Sequence, residues 1–237
     1  GSNGEKTKRE VVGIKYPLTG GIGETNSGGH FGVDFKNTGY DVLIFEGKSE
    51  KPCYLFLNGE TVELRDAQKF WGKKADTTTD LLLDETDLKA GVACIGPAGE
   101  KGALISSIVN EKGHHSGRTG AGAVMGSKNL KAIVVRGSIE TPYSNEESLK
   151  DAKKEWQTFI GEAPLTKNAL KEYGTPALVN NINSRGGFPT KNFQEGYFAN
   201  AESISGETIK ELYYVKSQPC KACPIGCAHL TRTPERS

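Results

Sequence analysis

Three cysteines within eight residues constrain this chain more than any other feature. They stand as Cys220-Lys221-Ala222-Cys223-Pro224-Ile225-Gly226-Cys227. Thiols at x2 and x3 spacing can converge on one metal centre, and iron–sulfur clusters are held by such short loops, often with a fourth ligand from far away. Pro224 limits the loop, and Gly226 lets the backbone pass close to a bulky cluster. Structural zinc usually takes paired ligands from two separated hooks, whereas here one hook is followed by a single cysteine. The spacing therefore predicts a [4Fe–4S] cluster on Cys220, Cys223 and Cys227, with zinc and unmetallated thiols as the alternatives. The order is the reverse of the C-x3-C-x2-C loop of radical enzymes that use S-adenosylmethionine. Cys53 and Cys94 lie in apolar strand patterns and read as small buried hydrophobes. His229 reads as an ordinary solvent-facing histidine, with a ligand role as the alternative. Five cysteines make an odd number, which argues against a disulfide framework and for a reducing compartment, expected to be the cytoplasm.

Glycine is the second constraint. Thirty in 237 residues is nearly twice the usual ~7%, and the glycines concentrate in two places. One is Gly20-Gly21-Ile22-Gly23-Glu24-Thr25-Asn26-Ser27-Gly28-Gly29. The other runs from Gly113-His114-His115-Ser116-Gly117-Arg118 through Thr119-Gly120-Ala121-Gly122 to Gly126-Ser127-Lys128. Neither matches a P-loop or the dinucleotide G-x-G-x-x-G, since Met125 stands where the third glycine belongs. Successive amides in such turns make concave anion sites, and Arg118 adds a planar bidentate donor suited to phosphate. For the first loop, ligand binding and a plain tight connection stand level. The second, carrying an arginine and two histidines, favours a phosphate-bearing organic cofactor.

Charge and hydropathy exclude other classes. Lys+Arg is 30 against Asp+Glu 29, so there is no basic excess of the kind a nucleic-acid surface needs. No apolar run approaches the ~20 residues of a membrane span. The polar start reads as no signal peptide, and Gly1-Ser2 as a scar of tag removal.

The pattern along the chain predicts an α+β fold. Strands are expected over residues 10–16, 41–46, 53–57, 61–64, 91–95, 104–109 and 131–135. The run Val42-Leu43-Ile44-Phe45 is read as a buried strand, and Asn58-Gly59 as a hairpin turn. Short helices are expected over 67–71 and 77–83. After Gly137 the character turns helical. Ser144 and Glu147 read as a capping box opening a helix over Glu146–Glu162, with further helices over 166–173 and 206–215. The expected organisation is a β-rich two-sheet domain over residues 9–138 and the start of a mainly helical domain over 143–237.

The segment Gly117-Arg118-Thr119-Gly120-Ala121-Gly122-Ala123-Val124-Met125-Gly126-Ser127-Lys128-Asn129-Leu130-Lys131-Ala132-Ile133 resembles the signature of the aldehyde:ferredoxin oxidoreductase family. Pro17-Leu18-Thr19-Gly20, Asn26-Ser27-Gly28-Gly29, Trp71-Gly72-Lys73-Lys74, Ile95-Gly96-Pro97-Ala98-Gly99-Glu100 and Cys220 to Cys227 follow the same pattern in order. The resemblance spans residues 9–230. It implies an enzyme that oxidises aldehydes to carboxylic acids and passes electrons through a [4Fe–4S] cluster to ferredoxin. It further implies a tungsten bis-pterin cofactor (molybdenum being the alternative metal), with Mg2+ bridging the pterin phosphates, and an N-terminal domain of two sheets that forms a base for the pterins. By position, Arg9, Asn26 and Gly28 resemble pterin-binding residues, and the carbonyls of Asn26 and His115 resemble the Mg2+ ligands. His114, His115, Gly117 and Arg118 fall on the second pterin loop, and Cys220, Cys223 and Cys227 resemble three cluster ligands. The fourth cysteine, most of the substrate pocket and any catalytic acid or base are expected on a further part of the same polypeptide. These residues alone are then expected to be inactive, and a homo-oligomer is left open. A non-catalytic iron–sulfur or zinc module of the same fold is the alternative.

Overall fold

The computed structural model describes residues 10–59, 61–140 and 142–234. The chain divides into two compact units, the first ending at Ser144 and the second beginning at Asn145. Within the first unit, β1 (Glu10–Lys15) and β2 (Ile22–Ser27) form an antiparallel ribbon registered from Glu10 opposite Ser27 to Lys15 opposite Ile22. Its turn is closed by Tyr16 N to Gly21 O and Gly20 N to Tyr16 O, both 2.8 Å. Alternation is strict: Gly23, Thr25 and Ser27 are buried, while Ile22, Glu24 and Asn26 are exposed. The short α1 (Phe31–Lys36) follows and buries Phe31, Val33 and Asp34.

The second sheet has six strands: β3 (Cys53–Asn58), β4 (Thr61–Asp66), β5 (Gly91–Cys94), β6 (Ile108–Asn110), β7 (His114–Ser116) and β8 (Leu130–Arg136), in the order β4-β3-β8-β5-β6-β7. β3 and β8 run parallel and the other neighbours antiparallel. The Asn58-Gly59 turn is a hairpin as expected, with Gly59 at φ +57°. Because side chains alternate across a sheet, β3, β5 and β8 feed two cores. One gathers Leu57, Ala93, Ile95 and Val135 with Phe31, Ile108 and Met125. The other gathers Tyr54, Phe56, Val92, Cys94 and Val134 with Phe70 and Leu82. Leu82 comes from α2 (Ala75–Glu85). Cys94 is the buried small hydrophobe foreseen; its thiol contacts Thr79 and the Ala75 carbonyl, and burial pushes its pKa up.

β8 carries one irregularity. Cys53 faces Leu130 and Tyr54 faces Ala132, so Lys131 has no opposite residue in β3. A bulge of this kind re-aims a side chain. The fully buried Lys131 Nζ donates to the carbonyls of Lys73 (3.0 Å) and Ile95 (2.6 Å) and pairs with Glu100. Glu100 ends α3 (Pro97–Glu100) and also accepts from Gly72 N at 2.8 Å. α4 (Ala121–Ser127) then packs on α3.

In the second unit, α5 (Glu146–Glu162) spans the expected residues, but its cap is Asn145 rather than Ser144. The Asn145 side chain accepts from Ser148 N at 2.9 Å, with Asn145 itself extended at φ −150°, ψ 105°. A π-turn over Leu165–Leu170 leads into α6 (Lys171–Tyr173), followed by α7 (Val179–Ser184) and α8 (Gly206–Leu212). The helix expected over 206–215 stops at Leu212. β9 (Tyr214–Ser217) replaces its end and pairs antiparallel with β10 (His229–Thr231). No described helix is long and apolar enough to cross a membrane.

Two strand expectations fail. Residues 41–46 form no strand: Val42 and Ile44 are 68% and 80% exposed, while Leu43 and Phe45 pack on the first core. An apolar run can serve one face only, and no sheet edge pairs with this one. Over 104–109 the strand starts only at Ile108, because the carbonyls of Leu104, Ser106 and Ser107 lie against Gly120 and Gly122.

Candidate cofactor-binding site

The two glycine-rich loops meet. Arg118 N donates to Thr25 Oγ1 at 3.2 Å, and a side chain at Gly23 would press on Thr119 at 2.9 Å. From the turn between β6 and β7, Glu111 reaches back to the end of the first loop, where its two carboxyl oxygens accept from His30 N at 2.9 and 2.8 Å. Glu10 in β1 accepts from Asn110 Nδ2 (2.7 Å) and Ser116 Oγ (2.9 Å). Asn26 and Gly28 are thereby on strands and turns tied to those carrying His114, His115, Gly117 and Arg118. Arg9 lies outside the described residues.

Burial sorts these groups by task. Asn26, His115, Gly117 and Arg118 are exposed, and Gly28 and His114 half-buried. Asn26 donates to Glu24 at 3.2 Å, and His115 Nδ1 lies 3.2 Å from Ser107 Oγ. Burial, then the neighbouring His30 and His115, lowers the His114 pKa. The carboxyls of Glu10 and Glu111 are half-buried. Burial raises the Glu10 pKa against the pull of Asn110 and Ser116. Burial pushes Glu111 up to about 7, opposed by the His30 amide and reinforced by Asp34 and Glu10. A guanidinium, two imidazoles and a glycine backbone on one loop are donor types that fit an anionic, phosphate-bearing ligand. The half-buried carboxyls of Glu10 and Glu111 tie the loops together.

The second loop's glycines divide in two. Gly113 and Gly117 have open space above them. Side chains at Gly120, Gly122 and Gly126 would meet Leu104 O at 2.6 Å, Ser107 O at 2.6 Å and Gly99 O at 2.0 Å. Ligand binding, the reading favoured from sequence, is thus left to the first half of the loop; the second half serves helix packing. An open hollow of about 420 Å³ lies at the ribbon's turn, lined by Gly13, Ile14, Lys15, Gly20, Gly21 and Ile22, and excludes the expected site residues. Glu111 was not foreseen, because nothing local in Asn110-Glu111-Lys112 announces a partner 81 residues away.

A pH prediction follows from Glu111. Its folded pKa of about 7 exceeds the ordinary 4.5, so between these values the folded chain keeps a proton that the unfolded chain has released. Its contribution to stability is present below pH 4.5, falls as pH rises and is lost above 7. Glu111→Gln removes this slope and is expected to gain about 2–3 kcal/mol over wild type at pH 8 and little at pH 4. Urea unfolding at both pH values measures it; subtraction of wild type cancels Glu10 and His114. An unchanged slope would refute the assignment.

In the second unit, the thiol loop is anchored beside the β9–β10 pair. Gln218 N donates to Ala228 O at 2.7 Å, Ser217 Oγ to Gly226 O at 3.1 Å, and Cys223 N to Cys220 O at 3.0 Å. Ala222 and Gly226 take φ of +55° and +65°. Cys220, Cys223 and Cys227 are half-buried and form no disulfide. Three thiols in one turned loop suit iron–sulfur chemistry by type, yet among the described residues no three Cys, His, Asp or Glu side chains are arranged to hold a metal ion. His229 is half-buried, not solvent-facing. It stands edge-on to Tyr214 at 5.1 Å, with Nε2 buried and unpartnered.

Known proteins resemble this chain over most of its length. The family model for the aldehyde ferredoxin oxidoreductase N-terminal domain matches residues 1–137, and that for domains 2 and 3 matches residues 151–237. The tungsten-containing aldehyde ferredoxin oxidoreductases of Pyrococcus horikoshii and Pyrococcus furiosus are each 44% identical over 227 residues, 95% of this chain. The chain spans 37% and 38% of their lengths. A P. furiosus aliphatic sulfonate oxidoreductase, WOR-like subunit, is 31% identical over 234 residues, 92% of this chain and 36% of its own. Among solved structures, the active site complex BamBC of benzoyl coenzyme A reductase in complex with 1,5-dienoyl-CoA superposes with a TM-score of 0.80 at 27% identity. That match covers 98% of this chain and 37% of the other.

Proposed function

Since the chain belongs to the aldehyde ferredoxin oxidoreductase family, we propose that it forms part of an oxidoreductase that converts aldehydes to carboxylic acids. The reaction takes aldehyde and water to acid, two protons and two electrons, the electrons leaving to ferredoxin. The observation that carries this reading is the joining of the two glycine-rich loops through Thr25–Arg118 and His30–Glu111, which puts the exposed donors His115 and Arg118 on the same scaffold as Asn26. When bound, a tungsten bis-pterin supplies the oxygen-transfer and two-electron chemistry. The chain's own share is binding and orientation. Arg118 would neutralise pterin phosphate charge, the His114 and His115 rings would donate hydrogen bonds to it, Gly117 would give the backbone clearance, and the Asn26 and His115 carbonyls would hold Mg2+. Arg9 and Gly28 complete the pterin contacts. Cys220, Cys223 and Cys227 provide three ligands to a [4Fe–4S] cluster, and the remaining ligand and the substrate pocket come from the rest of the enzyme.

The alternative reading is a module of this fold that binds iron or zinc on the same thiols without aldehyde chemistry. Full-length protein produced anaerobically with tungstate separates the two. Roughly four iron atoms with matching acid-labile sulfide per chain, stoichiometric tungsten and aldehyde-dependent viologen reduction are expected. Cys223→Ser is expected to reduce iron to background. Zinc in place of iron and sulfide, or metal-replete protein without aldehyde oxidation, would reject the enzyme.

A further inference from the structure

We propose that Glu111 is a positioning residue: it clasps the first glycine-rich loop onto the second and so sets the width of the seat for the pterin phosphates. This rests on the functional reading above and names a part of that site not yet assigned.

Each loop is shaped mainly by its own hydrogen bonds, the first by the β1–β2 ladder and the second by β6–β7. Glu10 ties the ribbon to Asn110 and Ser116 at 2.7 and 2.9 Å and Thr25 ties it to Arg118 at 3.2 Å, while Glu111 holds the far end of the first loop at His30. The Glu111 backbone is in the left-handed region at φ +50°, followed by Lys112 at φ +68°. Two successive positive φ values are what a two-residue hairpin turn requires, and Gly113 N to Asn110 O at 3.2 Å closes this one, with Glu111 at its tip. The acceptor meets His30 N, which precedes α1 and gets no cap from its own side chain. An amide at a helix start has no partner within the helix, so a carboxylate from the other loop satisfies it. On the facing side, Gly29 is at φ +96°, and a side chain there would stand 2.6 Å from Glu111 Oε2 and 2.8 Å from His114 Cδ2. Gly29 is favoured as glycine by its positive φ, and a side chain there would also push the Glu111 carboxyl and the His114 ring aside. Gly28 precedes that contact and His114 follows Glu111 by three residues, so the clasp fixes the separation of two proposed ligand-binding positions.

The test uses full-length protein produced anaerobically with tungstate, as wild type and as Glu111→Ala, Glu111→Asp, Glu111→Gln and the core control Leu82→Val. Tungsten per chain by elemental analysis, released pterin by fluorescence and the thermal midpoint are measured on each. Glu111→Ala and Glu111→Asp are expected to lose tungsten and pterin together by about tenfold, the size usual for the outer partners of a bound metal group. Glu111→Gln keeps an accepting oxygen and is expected to retain most of both. Leu82→Val lowers the midpoint yet keeps the cofactor. Retention of tungsten by the Ala and Asp variants overturns the clasp. So does equal loss in Gln and Ala, or loss in Leu82→Val matching theirs at the same midpoint, which makes the role one of stability alone. If alanine does not fold, the Asp and Gln pair decides. Wild type carrying neither tungsten nor pterin overturns the functional reading first, an outcome visible before any substitution is compared.

Discussion

Lys131→Met is expected to destabilise the first unit by about 3–5 kcal/mol, the cost of breaking a buried ion pair from one side. The Lys131 side chain is 0% exposed and that of Glu100 4%, so removal of the ammonium leaves a carboxylate in the core and strips two carbonyls of their donor. Methionine fills much the same volume, so cavity terms contribute little and the loss reports the charge. The double variant Lys131→Met, Glu100→Gln is expected to recover much of it, since replacing both members of such a pair is often close to neutral. Equilibrium urea unfolding of the two variants checks this. A loss below about 1 kcal/mol for Lys131→Met would mean that the pair contributes nothing measurable.

Gly126→Ala sets two effects of opposite sign against each other. Glycine in a helix interior is ordinarily worse than alanine by up to about 1 kcal/mol, so propensity alone predicts a gain. At this position the added Cβ would lie 2.0 Å from Gly99 O and 2.7 Å from its carbonyl carbon. That backbone cannot retreat easily, because the adjoining Glu100 is held by Lys131 and the Gly72 amide. Overpacking against a fixed backbone costs about 3 kcal/mol, so a net loss of at least about 2 kcal/mol is expected in the same urea experiment. The control Gly21→Ala, whose nearest neighbour would be Thr19 Oγ1 at 3.6 Å, is expected to stay within about 0.5 kcal/mol. A stabilising Gly126→Ala would show that α3 and α4 are not packed as described.

What the sequence made legible is what short-range periodicity encodes. Lys-Ala-Ile-Val-Val marked β8 and Asn58-Gly59 marked the β3–β4 hairpin, because both signals are local. The bounds of α5 were legible for the same reason. Its cap was not, since Ser144 and Asn145 are both good caps and only the backbone angles decide between them. Val42 to Phe45 misled because hydrophobicity does not reveal whether a second face has a partner. The second loop misled in another way: glycine clears space for a ligand or for a neighbouring helix, and only the fold tells Gly117 from Gly126. For the thiol loop, spacing gave the donor set but not the disposition of the sulfurs. Glu111 was invisible, because its role is made by a segment 81 residues away.

The place of β8 bears on how this sheet can be assembled on the ribosome. It is the last strand of its sheet to be synthesised, yet it lies between β3 and β5 with neighbours hydrogen-bonded on both sides. Until residue 136 has left the exit tunnel, the nascent β3–β4 hairpin and the β5–β6–β7 meander have no common strand and expose the edges that β8 will later cover. Pairings of such long separation form slowly, and unpaired edges invite aggregation while they wait. The interval before β8 emerges is therefore the stretch in which this sheet's edges are most open to wrong pairing.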